Sequence, residues 1–283
     1  MKNLLSIVIP CYNDWQFVAQ SIESAINQTY QNKEIIVVDD GSDNRTKEVL
    51  KKLEPKITRL ITQENKGQSS ARNVGIAVAQ GDYILILDSD DFFAPEFAEK
   101  AIKVIENSID IKIVTCFVNR VAINATHLEV FKPHGGDILD FLNDNAAIGT
   151  SMFRRKDWEE IEGYDESMTS GFEDWEFFIR LLKHGGSCHV IQEPLFNYRQ
   201  RSNSTSSGAN KIKYDLLRYI YFKHQDLYKS NLEQFVCHLL SQIEREEKEK
   251  LKNLRRIEYK IGFELLRPFR WIKKLSIIKC RNH

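Results

Sequence analysis

The chain has 283 residues, of which 42% are hydrophobic, so it is long enough for one large domain with an appendage or for two small domains. Its formal net charge of zero excludes an overall field that recruits nucleic acid, and no apolar run approaches the ~20 residues of a membrane-spanning helix. The five cysteines form no CxxC pair, which argues against a disulfide framework or a zinc site and predicts a cytoplasmic protein.

Strands and helices alternate along the first part of the chain. Short apolar runs at 4–9, 34–38, 57–61 and 83–87 each precede a polar loop, and helical spacing of apolar residues follows the first three of these loops. This alternation predicts an α/β fold with right-handed crossovers and a mainly parallel sheet. The loops after the strands then meet at one edge of the sheet, where open α/β sheets bind ligands.

Polar side chains follow the first two predicted strands. Pro10 and Tyr12 come after the first, and Asp40 closes the second. We expect Gly41 to adopt a positive φ and Ser42 to cap the next helix. Neither GxGxxG after the first strand nor GxxxxGK[ST] occurs, which excludes the glycine-rich phosphate loops of dehydrogenases and P-loop enzymes.

The fourth predicted strand, 83–87, ends in a cluster of acidic residues. Asp88, Ser89 and Asp90 follow it directly, and the two aspartates can face one target if the extended conformation continues. Carboxylates at this spacing suit Mg²⁺ or Mn²⁺, which also take substrate phosphates as ligands. The alternative is a polar turn whose aspartates cap a helix that begins near Pro95.

Four motifs occur in order: IVIPCYN (7–13), VVDDGS (37–42), NKGQSSARN (65–73) and LDSDD (87–91). In this order they resemble the signature of family 2 glycosyltransferases, which have the GT-A fold and of which many make bacterial polysaccharides. The resemblance continues through GYD (163–165), FEDW (172–175) and YR (198–199), and so covers about residues 4–205. It implies a catalytic domain over 1–207, divided into a nucleotide-sugar-binding half (1–110) and an acceptor half (111–207), followed by a helical region over 208–283.

The resemblance also implies roles for single side chains. Tyr12 and Asp40 match positions that hold the base of the nucleotide, and Arg72 matches one near its sugar. Asp88 matches the ribose-side member of the DxD motif, and Asp90 matches the metal ligand. Loop packing for Tyr12 and a surface charge for Arg72 stay open as alternatives. Four further residues are assigned to the nucleotide-sugar site: Pro10, Lys66, Ser89 and Arg199.

Glu173 and Asp174 lie at the start of a helix predicted over 172–182. The resemblance matches Asp174 to the general base, which takes a proton from the attacking hydroxyl. With Mn²⁺ or Mg²⁺ on Asp90 to stabilise the leaving diphosphate, the expected reaction is a single displacement with inversion. The alternative is that both acids complement the helix dipole and cap free amides.

Arg201 stands where many relatives have a metal-binding histidine, three positions after Tyr198. A guanidinium cannot bind a cation, but it can pair with the diphosphate. The segment 198–208 has the composition of a mobile loop, and it is either a lid over the donor phosphates or a linker.

The C-terminal region breaks the balance of charge. A mixed-charge run at 244–250 predicts a solvated helix, and residues 252–281 carry ten cations against two acids, interleaved with apolar residues and interrupted by Pro268. This mixture predicts a basic amphipathic helix on an anionic membrane surface. The alternative is a helix that docks on the catalytic domain.

The sequence therefore predicts an inverting glycosyltransferase that moves a sugar from a nucleotide-sugar, by expectation a UDP-sugar, to a saccharide or lipid-linked acceptor. Synthesis of a cell-surface polysaccharide, in the cytoplasm or on the inner face of the plasma membrane, is the expected setting. A sugar-phosphate nucleotidyltransferase is disfavoured, because its glycine-rich first loop is missing. A non-catalytic module that binds nucleotide-sugars stays open as the alternative.

Overall fold

A mixed β-sheet forms the centre of the molecule. The computed structural model describes residues 3–201, 208–257, 261 and 265. The chain divides into two compact units, Met1–Tyr228 and Lys229–His283, and the sheet belongs to the first. The functional division predicted after residue 207 stays a prediction.

The described sheet has nine strands, eight of them in the order β3-β2-β1-β4-β8-β6-β9-β5, with β7 paired to β6. The first four strands run parallel to each other. β8 is antiparallel to both of its neighbours, and β6 and β9 are parallel to each other. The strands are β1 (Leu5–Cys11), β2 (Lys33–Asp40), β3 (Arg59–Gln63), β4 (Tyr83–Ile86), β5 (Phe92–Phe93), β6 (Ile111–Val121), β7 (His127–Phe131), β8 (Met152–Arg154) and β9 (Ser187–Arg199).

Helices connect most of these strands. The described α-helices are α1 (Val18–Ile26), α2 (Asn44–Leu53), α3 (Gln68–Ala77), α4 (Phe97–Asn107), α5 (Ile138–Asn143), α6 (Arg155–Glu160), α7 (Glu173–Leu182), α8 (Lys213–Lys223), α9 (Gln225–Ser230) and α10 (Leu232–Arg255). None of the described helices is long and apolar enough to cross a membrane.

Helix α3 packs closely on the sheet. A Cβ on Gly75 would come within 2.5 Å of the Val8 side chain in β1 and 3.1 Å of the Val38 side chain in β2, so only glycine fits there. Arg72 lies one turn earlier on the same helix and is buried as well. The close packing of α3 therefore brings Arg72 to the sheet edge at which β1, β2 and β4 end.

The α/β class and the mainly parallel first half confirm the fold predicted from the sequence. Three local predictions were wrong. Asp43, not Ser42, caps α2, because its Oδ1 accepts the Thr46 backbone N–H at 2.8 Å. The chain turns after the fourth strand instead of staying extended, since the Asp91 N–H donates to the Asp88 carbonyl at 3.2 Å. Arg199 ends strand β9 and is not part of a loop.

Two further local predictions are confirmed, and two others concern residues that the structure mostly does not describe. Gly41 has the positive φ that was expected, at 74°. Residues 244–250 lie in α10 and are exposed, as predicted for a solvated helix. The amphipathic tail predicted over 252–281 lies largely outside the described residues, as does most of the loop predicted over 198–208.

Candidate active site

Arg72 is the central side chain of the site. It is only 2% exposed, its Nη2 lies 3.0 Å from Oδ1 of Asp88, and its Nη1 lies 2.8 Å from Oε1 of Glu173. Burial opposes the positive charge, but attraction to the two carboxylates outweighs it and raises the Arg72 pKa. The surface-charge alternative is therefore excluded, and Arg72 joins the turn after β4 to the start of α7.

Asp174 is half-buried at the start of α7, beside this ion pair. Its Oδ2 accepts a hydrogen bond from Nδ2 of Asn145 at 3.0 Å, and its Oδ1 accepts one from the Trp175 backbone N–H at 2.8 Å. Burial raises the pKa of the Asp174 carboxyl, and Arg72 and the two hydrogen bonds oppose that shift. A carboxylate with a raised pKa and no direct salt bridge is well suited to accept a proton.

The start of α7 has an unusual backbone. Phe172, which precedes the helix, has a left-handed φ of 64° and no side-chain cap. Non-glycine residues rarely adopt this conformation, and it is common at functional sites. Trp175 anchors the helix start from the other side, because its Nε1 donates to the Phe141 carbonyl at 2.6 Å. The position of Asp174 is thus fixed on both sides.

Arg201 bridges two carboxylates on the other side of the turn. Its Nη1 lies 2.9 Å from Oδ2 of Asp90 and 2.6 Å from Oδ1 of Asp14, and 32% of its side chain is exposed. Ser89 donates to Oδ2 of the same Asp14 at 2.6 Å. Burial and the charges of Asp88 and Asp14 raise the Asp90 pKa, while Arg201 lowers it. Asp14 was not singled out from the sequence, although it lies in the loop between β1 and α1.

The acidic turn offers few oxygen donors to a divalent cation. No group of three or more His, Cys, Asp or Glu side chains gathers into a metal site within the described residues. Asp90 offers a hard oxygen donor, and Mg²⁺ sites use one or two carboxylates completed by water and substrate phosphates. The residues therefore fit a cation that the diphosphate helps to hold, and Arg201 shares Asp90 with it.

The base-binding residues predicted from the sequence lie around the β2 end. Asp40 is buried, and its carboxylate accepts hydrogen bonds from Nε2 of Gln63 at 2.7 Å and from the Lys66 and Gly67 backbone N–H groups, each at 2.9 Å. A carboxylate has about four acceptor positions, so one remains for a ligand. Tyr12 is 50% exposed at the same edge.

The other residues that were assigned to the nucleotide-sugar site differ in burial and in their contacts. Pro10 is buried within β1, and the Lys66 side chain is exposed. Arg199 is buried, and its three side-chain nitrogens donate to the Asp90 carbonyl, the Ile123 carbonyl and Oε1 of Gln20. Its guanidinium thus binds groups of the protein itself, and its assignment to the nucleotide-sugar site stays a prediction.

The structure brings together the residues predicted for donor and base. Arg72, Asp88 and Asp174 adjoin each other, since a Cβ on Gly149 would lie 3.1 Å from the Asp174 carboxylate and 3.6 Å from Nη2 of Arg72. An acidic turn at the edge of a mainly parallel sheet, faced by a buried carboxylate on a separate helix, defines a GT-A glycosyltransferase fold.

Comparison with known proteins gives the family. The model of glycosyl transferase family 2 matches residues 6–162, and that of an N-terminal domain of galactosyltransferase matches residues 139–204. The chain belongs to glycosyltransferase family 2.

Two similar sequences and one similar structure illustrate the family. An uncharacterised glycosyltransferase of Methanocaldococcus jannaschii is 31% identical over 207 residues, covering 70% of this chain and 71% of the relative. The putative teichuronic acid biosynthesis glycosyltransferase TuaG of Bacillus subtilis is 29% identical over 218 residues, covering 74% and 84%. The crystal structure of S. aureus TarS 1–349 in complex with UDP-GlcNAc has a TM-score of 0.65 at 20% identity, covering 78% of this chain and 66% of that one.

Proposed function

We propose that this chain is an inverting glycosyltransferase that moves a sugar from a UDP-sugar to a hydroxyl of a saccharide, free or lipid-linked. The observation that carries the proposal is the proximity of the Asp174 carboxylate to the Arg72–Asp88 ion pair of the donor side. Two relatives add support: the printed name of TuaG refers to teichuronic acid biosynthesis, and TarS was solved with UDP-GlcNAc. Synthesis of a cell-surface polysaccharide is the proposed setting.

Asp174 acts on the acceptor in this mechanism. Each of its oxygens accepts one hydrogen bond, so each keeps a further acceptor position for the hydroxyl of the acceptor. The carboxylate takes the hydroxyl proton while the acceptor oxygen forms a bond to the anomeric carbon and the bond from that carbon to the diphosphate breaks. The attack comes from the face opposite the leaving group, which inverts the configuration.

Arg201 acts on the donor. Its guanidinium lies at the acidic turn, is partly exposed, and can move from Asp14 and Asp90 to the phosphate oxygens. Arg72 and Arg199 are both buried and therefore position other groups of the site instead of binding the phosphates. Arg72 fixes Asp88, and Arg199 fixes the backbone of the turn at the Asp90 carbonyl.

The proposal includes a divalent cation, because the site carries an excess of negative charge. Two arginines face five carboxylates in the site, and a bound diphosphate adds more negative charge. When bound at Asp90 and the diphosphate, Mn²⁺ or Mg²⁺ would neutralise the charge that develops on the leaving group. The residues counted are Asp14, Asp88, Asp90, Glu173 and Asp174 against Arg72 and Arg201.

An assay of donor hydrolysis separates this proposal from a module that only binds nucleotide-sugars. The full chain is incubated with UDP-GlcNAc, UDP-glucose or UDP-galactose, with and without Mn²⁺, and released UDP is measured. We expect UDP release from at least one donor, and more of it with Mn²⁺. Saturable UDP binding without hydrolysis or transfer of any donor would favour the binding module.

Peripheral attachment to an anionic membrane on the cytoplasmic side is also part of the proposal. It rests on the sequence of the tail, where cations are interleaved with apolar residues. Such attachment would bring the enzyme to a lipid-linked acceptor.

A further inference from the structure

The segment between α5 and β8 passes beside the Asp174 carboxylate and has a fixed path. The Gly135 N–H donates to the Ala146 carbonyl at 2.9 Å, and Ala146 is fully buried. Trp175 ties the start of α7 to the end of α5 through the Phe141 carbonyl. A side chain from this segment can therefore be placed accurately against the base.

Asn145 is that side chain, and only one end of its amide has a partner. Its Nδ2 donates to Oδ2 of Asp174 at 3.0 Å, while its Oδ1 is buried and has no hydrogen-bond partner in the part of the chain that the structure describes. Buried polar atoms nearly always have a partner, so an unpaired amide oxygen beside the Asp174 carboxylate indicates a place for a polar ligand.

Gly149 leaves space at the same place. A Cβ at this position would lie 3.1 Å from Oδ2 of Asp174, which is closer than a side chain normally comes to an oxygen, and 3.6 Å from Nη2 of Arg72. The absence of a side chain therefore keeps room beside the oxygen that Asn145 holds. A hydroxyl oxygen is the size of group that this room suits.

We propose that Asn145 is a positioning residue for the reaction: its Nδ2 fixes Oδ2 of Asp174, and its Oδ1 accepts a hydrogen bond from the acceptor. With a saccharide acceptor the donor of that bond is a hydroxyl next to the reacting one, and with water it is the second O–H. The inference rests on the proposed function, because it takes Asp174 as the base. Gly149 provides the space in which the acceptor oxygen lies.

The hydrogen bond from Asn145 also affects the protonation of Asp174. An N–H that donates to a carboxylate favours the ionised form and lowers its pKa, so removal of the bond raises the pKa. The other charged or titratable groups that act on Asp174 stay in place when Asn145 is replaced. They are Arg72 of α3, Asp88 after β4, Glu173 of α7 and Tyr164 of the loop before α7.

The test compares Asn145→Ala with Asn143→Ala, the same change two residues earlier, at the end of α5. Hydrolysis of a UDP-sugar that the wild type cleaves is followed from pH 5 to pH 9. We expect Asn145→Ala to lower kcat about 10- to 100-fold, the usual effect of losing a hydrogen bond to a charged group, and to move the acidic limb of the profile towards higher pH. Asn143→Ala should do neither, and UDP affinity should stay unchanged in both.

Gly149→Ala provides a second variant in which Asn145 is intact. Its methyl group should lower kcat without changing UDP affinity, because it fills the space beside the base. An Asn145→Ala enzyme with an unshifted acidic limb, or a Gly149→Ala enzyme with full activity, would overturn the inference. Failure of the proposed function is distinguishable, since in that case the wild type would not cleave any UDP-sugar or Asp174→Asn would stay active.

Discussion

Two arginines organise the residues of the site, and each of them bridges two carboxylates. Arg72 is buried between Asp88 and Glu173, whereas Arg201 is partly exposed between Asp14 and Asp90. The difference in burial separates their roles, because a buried ion pair resists rearrangement and an exposed one exchanges partners easily. Asp174 has no direct salt bridge among the described residues and so keeps its capacity to accept a proton.

The first prediction concerns Arg201. Arg201→Ala should weaken UDP binding in the presence of Mn²⁺ by about 10- to 100-fold, because a charge-assisted contact to the diphosphate is lost. Isothermal titration calorimetry with UDP measures the change, and Arg120→Ala on strand β6 serves as a control with a partly exposed arginine. Unchanged affinity for UDP in Arg201→Ala would refute the assignment.

The residue types of the site were predictable, but their partners were not. Asp88, Asp90 and Asp174 stand out because they fall in the LDSDD and FEDW motifs that carry the family resemblance. Asn145 gives no such signal, as an asparagine in an irregular segment is common. Arg199 was assigned to the nucleotide-sugar site, and only the structure shows its contact with Gln20, 179 positions away in the sequence.

At the scale of elements, long apolar runs were predictable and interrupted strands were not. β1 is buried along all seven residues and was found from its composition. β9 was missed because polar and apolar residues follow no period of two along it, and because it contains Pro194 and pairs with β6 through several irregularities of register. β8 has only three residues, which is too short for a pattern of alternating residues to stand out in the sequence.

Helix α7, which carries Asp174, is also held by an ionic network with α8. Glu176 is fully buried and accepts hydrogen bonds from Arg180 of its own helix and from His224 at 3.0 Å, and Lys223 lies 2.8 Å away. Burial alone would raise the Glu176 pKa, but the contacts to His224, Arg180 and Lys223 outweigh it and lower the pKa to about 2. The network therefore stabilises the helix of the base.

The second prediction is that Glu176→Gln lowers the free energy of unfolding at pH 7 by about 3 kcal/mol, because Arg180 and Lys223 lose their buried counter-charge. A carboxyl with a lowered folded pKa stabilises above its unfolded pKa of about 4.5, and that contribution disappears as the pH falls towards 2. The difference between wild type and variant in urea unfolding should therefore shrink below pH 4.5. Glu48→Gln, an exposed change on α2, should leave the stability unchanged, and an equal effect of both variants would contradict the account.

At the scale of the whole molecule, the strongest charge asymmetry lies in the tail, most of which is outside the described residues. The third prediction is that the full chain sediments with vesicles of phosphatidylglycerol and phosphatidylcholine at low salt, and that a chain ending at Lys250 does not. Each cation near an anionic surface contributes about 1 kcal/mol, and salt screens this attraction. Neutral phosphatidylcholine vesicles are the control, and equal sedimentation of the two chains would assign the tail to another role.

The central claim is that Asp174 is the base of a sugar transfer, and the Asp174→Asn enzyme tests it most directly. The change keeps the size of the side chain and removes its ability to take a proton, so transfer or hydrolysis of the donor should fall at least about 100-fold. Affinity for UDP with Mn²⁺, measured on the same preparation, should stay within about twofold of wild type. An Asp174→Asn enzyme that keeps its UDP affinity and more than a tenth of the wild-type rate would contradict the account.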